Sequence, residues 1–189
     1  MRLFWKIALP IFLSIILVGG IFIFKTRFQQ SSISQKEKSL EGDLCSTLPE
    51  EAKTLCEECK RTTQGVFLLK CTAREVIHFD SQLAKEICLK IPEKDEQKLC
   101  FAEALRRVDL NASLQQCDLI EDIGKKAFCR ALTFRDMNEI QKGRKECETF
   151  LSLNNTDAYY QCLAFLLKDR SYCEKINKEE LKKSCQTSL

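Results

Sequence analysis

Twelve cysteines constrain the fold of this 189-residue chain more than any other feature of its sequence. All lie after residue 44 and fall into six successive pairs, and four of the six intervals hold eleven residues. The pairs are Cys45 and Cys56, Cys59 and Cys71, Cys88 and Cys100, Cys117 and Cys129, Cys147 and Cys162, and Cys173 and Cys185. An even, regularly spaced set is typical of a disulfide framework in an oxidising compartment, because the cytosol keeps thiols reduced.

The residues around the cysteines repeat as well. Alanine stands two positions after the second cysteine of four pairs, at Ala73, Ala102, Ala131 and Ala164. A large apolar residue stands three positions after the first cysteine of five pairs, at Leu48, Ile91, Ile120, Phe150 and Ile176. Cys59 departs from this rule, since Thr62 occupies that position. From Cys59 onward the unit recurs every 26 to 30 residues, which indicates a structural repeat.

The spacing of the pairs predicts helical hairpins. Two residues twelve apart on one helix are separated by about 18 Å, whereas the alpha carbons of a disulfide lie roughly 4.4 to 6.8 Å apart. The chain must therefore turn inside each interval if the pairs bond. Each interval contains a candidate turn residue: Pro49, Gly65, Pro92, Gly124, the Asn154–Asn155 pair, and Asn177 as a helix N-cap.

The segments between these turns favour helix, with few glycines and with apolar residues three and four apart. The small alanine after each second cysteine would let a neighbouring helix approach closely. We therefore predict an all-α domain at residues 45–189, built from five or six short hairpins, each closed by its own disulfide and stacked as an α-solenoid.

The N-terminus has a different character. Eighteen residues from Ile7 to Phe24 carry no charge and would span about 27 Å as a helix, close to the roughly 30 Å bilayer core. Residues 1–28 are thus predicted to form a short cytoplasmic segment and a transmembrane signal anchor, and the polar residues 29–44 to form a linker. A cleaved signal peptide ending near Val18–Gly20 is the alternative.

Basic residues on both sides of the apolar segment leave its orientation open. The cysteines decide it, because disulfides require an oxidising compartment. We predict a single-pass cell-membrane protein that contacts the membrane through residues 7–24. Its N-terminus would be cytoplasmic and its cysteine-rich domain extracytoplasmic.

The Cys-x-x-apolar and Cys-x-Ala signatures of residues 45–185 resemble helical-hairpin repeats of the tetratricopeptide and Sel1-like kind. They resemble more closely the disulfide-stapled helical repeats of membrane-anchored microbial proteins. The tryptophan and Gly-Tyr positions of the full tetratricopeptide pattern are missing. The resemblance implies an α-solenoid ectodomain that binds a partner.

The sequence contains only weak indications of a catalytic or metal site. Cys56-Glu57-Glu58-Cys59 has the CxxC form of thioredoxin-like enzymes but lacks their preceding strand. A zinc site needs a second ligand pair, and the chain has one CxxC and one histidine, His78. Storage of a soft metal would require free thiols. We expect no metal, no cofactor and no enzymatic activity, with redox chemistry at Cys56 and Cys59 as the alternative.

Charge argues against one class of partner. After residue 28 the chain has 26 basic and 27 acidic residues, and nucleic-acid binding needs a clustered basic face. The leading hypothesis is a membrane-tethered module for protein–protein interaction or scaffolding, with an unknown protein or peptide partner. Tyr159, Tyr160 and Tyr172 are candidate contacts. An envelope oxidoreductase and a structural stalk are the alternatives, and the oligomeric state stays open.

Overall fold

The computed structural model describes residues 44–189, and the chain divides after Leu48 into two units. The described part of the first unit contains a 3-10 helix, Cys45–Thr47, in which the Thr47 hydroxyl donates to the Leu44 carbonyl at 2.9 Å. The second unit, Pro49–Leu189, holds nine α-helices and one further 3-10 helix, Arg170–Lys175. The α-helices are α1 (Glu50–Thr62), α2 (Val66–Val76), α3 (Ser81–Leu89), α4 (Lys94–Leu105), α5 (Leu110–Asp118), α6 (Ile123–Asp136), α7 (Ile140–Ser152), α8 (Thr156–Leu167) and α9 (Glu179–Ser188).

These helices form five hairpins. Hairpins 1 to 4 are α1–α2, α3–α4, α5–α6 and α7–α8, and hairpin 5 is the 3-10 helix Arg170–Lys175 with α9. One disulfide joins the two helices of each hairpin, with alpha carbons 5.6 to 5.8 Å apart. Cys45 is disulfide-bonded and so is Cys56, and residues 44–189 contain no free cysteine. The predicted all-α fold with disulfide-linked helices is therefore confirmed for the described residues.

Packing between hairpins follows their order in the chain. The second helices contact one another in series: α2 packs on α4, α4 on α6, α6 on α8, and α8 on α9. Within the second unit, no helix packs against a helix beyond the next hairpin. Each hairpin thus covers the apolar face of its neighbour, because a single short hairpin has no other core to bury it in.

Small residues set the distance between successive hairpins. The four alanines that follow the second cysteines are at most 1% exposed. The Ser113 hydroxyl in α5 donates to the Ala102 carbonyl at 2.9 Å. At the equivalent place in α7, a Cβ added to Gly143 would lie 3.0 Å from the Ala131 carbonyl oxygen. Each first helix therefore crosses the preceding second helix at a residue with little or no side chain.

Capping residues set the helix starts, and two sequence predictions about them are wrong. Gly124 lies inside α6 and does not break it, because the Asp122 side chain caps the helix by accepting from the Lys125 amide at 2.7 Å. Asn177 is not the N-cap of α9, since Lys178 holds that position. Gly65 does lie in a turn, with φ 58°, and Asn155 caps α8.

No helix within residues 44–189 is long and apolar enough to cross a bilayer. The anchor predicted at residues 7–24 and the linker residues before Leu44 lie outside the described residues.

Candidate interaction surface at the turn edge

We call the segments that join the two helices of each hairpin the turn edge; they are residues 63–65, 90–93, 119–122, 153–155 and 176–178. Side chains from one hairpin reach this segment of the next. Asp95, five residues before Cys100, accepts hydrogen bonds from the backbone amides of Glu121 and Asp122 at 3.0 and 2.8 Å. Each carboxylate oxygen holds one amide, so the start of α4 is fixed to the turn of hairpin 3.

The same arrangement recurs two hairpins later. Asp157, five residues before Cys162, accepts from the Asn177 amide at 2.8 Å and the Lys178 amide at 3.2 Å. The Asn177 side chain adds a third hydrogen bond at 3.2 Å. Counted from the cysteines, the acceptor and the two backbone donors occupy the same positions in the Asp95 and Asp157 arrangements. The two arrangements are therefore one repeated contact. We call it the carboxylate clamp.

Both clamps favour the ionised carboxylate. The hydrogen bond from the Glu121 amide, followed by that from Asp122, lowers the pKa of Asp95 from 3.8 to about 2. The hydrogen bond from the Asn177 amide lowers the pKa of Asp157 for the same reason. Neither residue is predicted as a site from the sequence, although an aspartate stands five positions before the second cysteine in two pairs.

Hairpins 3 and 4 meet without a clamp. The clamp position of hairpin 3 is Gly124, and a Cβ there would lie 3.2 Å from the Phe150 ring. Hairpin 4 is also longer, because Cys147 and Cys162 are 15 residues apart where the other bridged pairs are 12 apart. Phe150 is the apolar residue three positions after the first cysteine, as Ile120 and Ile176 are, and its ring lies beside Gly124, where hairpins 2 and 4 have an aspartate. Hairpins 1 and 2 also meet without a clamp, because Val66 holds the clamp position of hairpin 1.

A cavity of about 360 Å³ opens at this junction. Its apolar lining comes from three hairpins and consists of Leu99, Phe128, Phe150 and Ala158. Its polar lining is Asp122, Lys125, Asn155 and Gln161, and Gly124 completes it. The volume lies near the lower end of the roughly 300 to 1,000 Å³ range of ligand sites.

The two charged residues in the lining already have partners. The Lys125 amine lies 2.8 Å from Glu93 and 2.9 Å from Glu96, and the hydrogen bond to Glu93 raises its pKa. Asp122 caps α6 through the amide of Lys125. Asn155 accepts from the Ala158 amide at 3.1 Å. In the described part of the chain the Gln161 side chain has no hydrogen-bond partner.

Four exposed apolar side chains lie at or beside the turn edge of hairpins 3 and 4. They are 45 to 59% exposed: Leu119, Ile123, Leu151 and Leu153. The last three are close in sequence to the cavity residues Asp122, Phe150 and Asn155. Phe67 in hairpin 1, which is 70% exposed, and Leu89 in hairpin 2 lie outside this cluster. A cluster of uncovered apolar residues beside an apolar cavity is a common property of protein interaction sites.

The tyrosines named from the sequence occupy half-buried positions. Tyr159 packs against the core shared by hairpins 3 and 4, Tyr160 packs against the core of hairpin 5, and Tyr172 touches both. The amine of Lys175 lies 4.8 Å from the ring centre of Tyr172 and 5.5 Å from that of Tyr160. These rings therefore contribute to packing between hairpins, and a role in partner contact stays a prediction.

Both CxxC cysteines are disulfide-bonded, but not to each other. Cys59 is bonded to Cys71, and Cys56 is disulfide-bonded and fully buried. Redox exchange between Cys56 and Cys59 would first require the Cys59–Cys71 bridge to open. His78 is exposed, and residues 44–189 contain no group of three or more metal-ligating side chains.

A scan against protein-family models and searches of curated proteins and of solved structures found no match to this chain.

Proposed function

We propose that this protein is a membrane-tethered, extracytoplasmic helical-repeat module that binds a protein partner through the turn edge of hairpins 3 and 4. The observation that carries the proposal is the apolar cavity at that junction, where the clamp that joins hairpins 2 to 3 and 4 to 5 is absent. In repeat proteins, departures and insertions in single repeats gather on the face that binds partners.

The junction of hairpins 3 and 4, with its cavity and without a clamp, favours binding over a purely structural stalk. A stalk needs only the repeated contacts, and the clamp supplies a polar, satisfied junction at hairpins 2 to 3 and 4 to 5. The junction of hairpins 3 and 4 has Gly124, Phe150 and a longer hairpin instead, beside an apolar cavity, and Leu151 and Leu153 are exposed next to it in sequence. A stalk has no need of this apolar surface, which a partner would cover.

The tether and the solenoid stacking belong to the same proposal. Packing that links only successive hairpins supports an α-solenoid, because each repeat of a solenoid contacts only its neighbours. Oxidised cysteines throughout residues 44–189 support a place outside the cytoplasm. The apolar residues 7–24 support a membrane anchor.

Photo-crosslinking in the native host tests the binding site. The full-length protein would carry a photoreactive phenylalanine at Leu153 on the turn edge or, as a matched control, at Phe79, an exposed apolar residue between hairpins 1 and 2. We expect one reproducible envelope protein to crosslink at Leu153 and not at Phe79. The purified partner should then bind the full-length protein. If no envelope protein crosslinks at either position, the proposal is contradicted.

Membrane extraction tests the tether separately. We expect the full-length protein to stay in the membrane fraction after alkaline carbonate washing. A variant lacking residues 7–24 should fail to do so. Release of the full-length protein by carbonate would exclude a spanning anchor while leaving the binding test valid.

A further inference from the structure

We propose that the cavity between hairpins 3 and 4 receives one uncharged apolar side chain of a partner peptide, whose adjacent backbone group hydrogen-bonds the side chain of Gln161. This inference rests on the proposed function, because it names the chemistry of the partner at the same site.

The apolar part of the lining selects the anchor. Phe128 and Phe150 contribute ring surface and Leu99 and Ala158 contribute aliphatic surface, so an inserted Leu, Ile, Met or Phe would exchange water for carbon contacts. Burying such a side chain removes apolar surface from water, which stabilises a complex. The exposed Leu151 and Leu153 extend the apolar surface beyond the cavity mouth.

The charges at the site argue against a charged anchor. The Lys125 amine is bound to Glu93 and Glu96, so an acidic anchor would find no free cation. Asp122 caps α6 through one carboxylate oxygen and is exposed, and an exposed ion pair contributes little. A charged side chain placed in the apolar cavity would therefore lose its hydration for at most one weak ion pair.

The polar part of the lining favours a peptide over a free hydrocarbon. Gln161 has both a donor and an acceptor on its side chain, and neither has a partner within residues 44–189. A peptide group beside the anchor offers one N–H and one carbonyl, which are the complementary groups. A hydrocarbon would offer the half-buried carboxamide neither group.

Selection of peptides tests the inference. Full-length protein in lipid nanodiscs would be used to select binders from a random twelve-residue peptide display library. Enriched peptides would then be titrated by fluorescence anisotropy against the wild type and three variants. Gln161→Glu places an unpaired carboxylate at the cavity, Leu153→Asp changes its rim, and Leu89→Asp is the matched control in hairpin 2, an exposed leucine away from the cavity.

We expect the enriched peptides to share one uncharged apolar residue and to bind the wild type and Leu89→Asp alike. Gln161→Glu and Leu153→Asp should each weaken binding about tenfold or more, as loss of a central contact does. Since all three positions are exposed or half-buried, each variant should keep its disulfides and its melting temperature. Binding within twofold across all variants, a charged shared residue, or no enriched peptide would overturn the inference.

The two proposals fail in different ways. If a native partner crosslinks at Leu153 but Gln161→Glu does not weaken binding of that partner, the proposed function stands and the apolar-anchor inference falls. If selected peptides respond to the cavity variants but no envelope protein crosslinks, the cavity has the inferred specificity and the proposed function falls.

Discussion

The Asp95 carboxylate accepts a 2.8 Å hydrogen bond from the backbone amide of Asp122, which lies in the turn of the next hairpin. Its other oxygen accepts the neighbouring amide of Glu121. A turn has backbone amides that no helix satisfies, and a carboxylate from outside satisfies two of them at once. The clamp therefore couples successive hairpins by a contact that requires the ionised form of Asp95.

Acid should weaken this coupling. The pKa of Asp95 is about 2 in the folded chain against an ordinary 3.8, so its stabilising effect is complete above about pH 4 and is lost as the pH falls toward 2. Asp95→Asn should lower the unfolding free energy at pH 7, because an amide cannot accept from both backbone N–H groups. It should also flatten the pH dependence between about 4 and 2.

Urea unfolding of the wild type and of Asp95→Asn across this pH range measures the effect. Glu148→Gln is the matched control, since Glu148 is an exposed carboxylate with no hydrogen bond or ion pair among the described residues. Parallel curves for the wild type and Asp95→Asn below pH 4 would contradict the clamp.

Two glycines at helix contacts should respond differently to alanine. A Cβ at Gly143 would lie 2.5 Å from the Leu166 side chain and 3.0 Å from the Ala131 carbonyl, whereas one at Gly124 meets its nearest atoms at 3.2 and 3.3 Å. We expect Gly143→Ala to destabilise by about 1 to 3 kcal/mol through overpacking, despite the better helix propensity of alanine.

Gly124→Ala should change stability by less than about 1 kcal/mol, because helix propensity offsets a contact that a small shift of the Phe150 ring relieves. Thermal and urea unfolding of both variants would compare them. If the two substitutions lowered the unfolding free energy equally, Gly143 would not be required for the close crossing of α7 over α6.

The cysteine spacing predicted the hairpins because a disulfide imposes a short distance on residues that one helix would hold far apart. The clamps were not predicted, since Asp95 and its donors in the next turn are joined only by the packing of two hairpins. The predicted break at Gly124 is wrong. It rests on the low helix propensity of glycine, but the cap at Asp122 starts the helix in spite of the glycine.

The same limit applies to the cavity. Its lining comes from α4, α6, α7 and α8 and from the turns before α6 and α8, so no single segment carries a recognisable pattern. The longer interval between Cys147 and Cys162 is visible in the sequence, but what it uncovers depends on how hairpin 4 packs on hairpin 3. The three tyrosines can be identified in the sequence as aromatic residues. Their half-burial follows from core contacts that only the structure shows.

Ser113 should tolerate loss of its hydroxyl better than gain of volume. It is fully buried and donates to the Ala102 carbonyl, which also accepts the helical amide of Arg106. Ser113→Ala should cost about 0.5 to 1.5 kcal/mol, since that carbonyl keeps one hydrogen bond. Ser113→Val should cost more, about 1 to 3 kcal/mol, because α5 would be forced away from α4. Urea unfolding gives both values, and a less harmful valine would contradict a close crossing.

Removal of single disulfides should reveal how far each hairpin depends on its neighbours. Closing a loop of about 12 residues stabilises by roughly 3 kcal/mol in the chain-entropy model. The pair Cys173→Ser and Cys185→Ser lies in hairpin 5, which packs only on hairpin 4 within residues 49–189. We expect hydrogen exchange to rise in α9 and to stay unchanged in α4.

The pair Cys117→Ser and Cys129→Ser is the comparison, because hairpin 3 packs on hairpins 2 and 4. Its loss should raise exchange in α4 and α8 as well as in α5 and α6, since both neighbours lose a packed face. Non-reducing peptide mapping would verify that the remaining bridges keep their partners. Identical exchange profiles for the two double variants would mean that residues 49–189 unfold as one cooperative unit, and stability would then not be a sum over neighbouring hairpins.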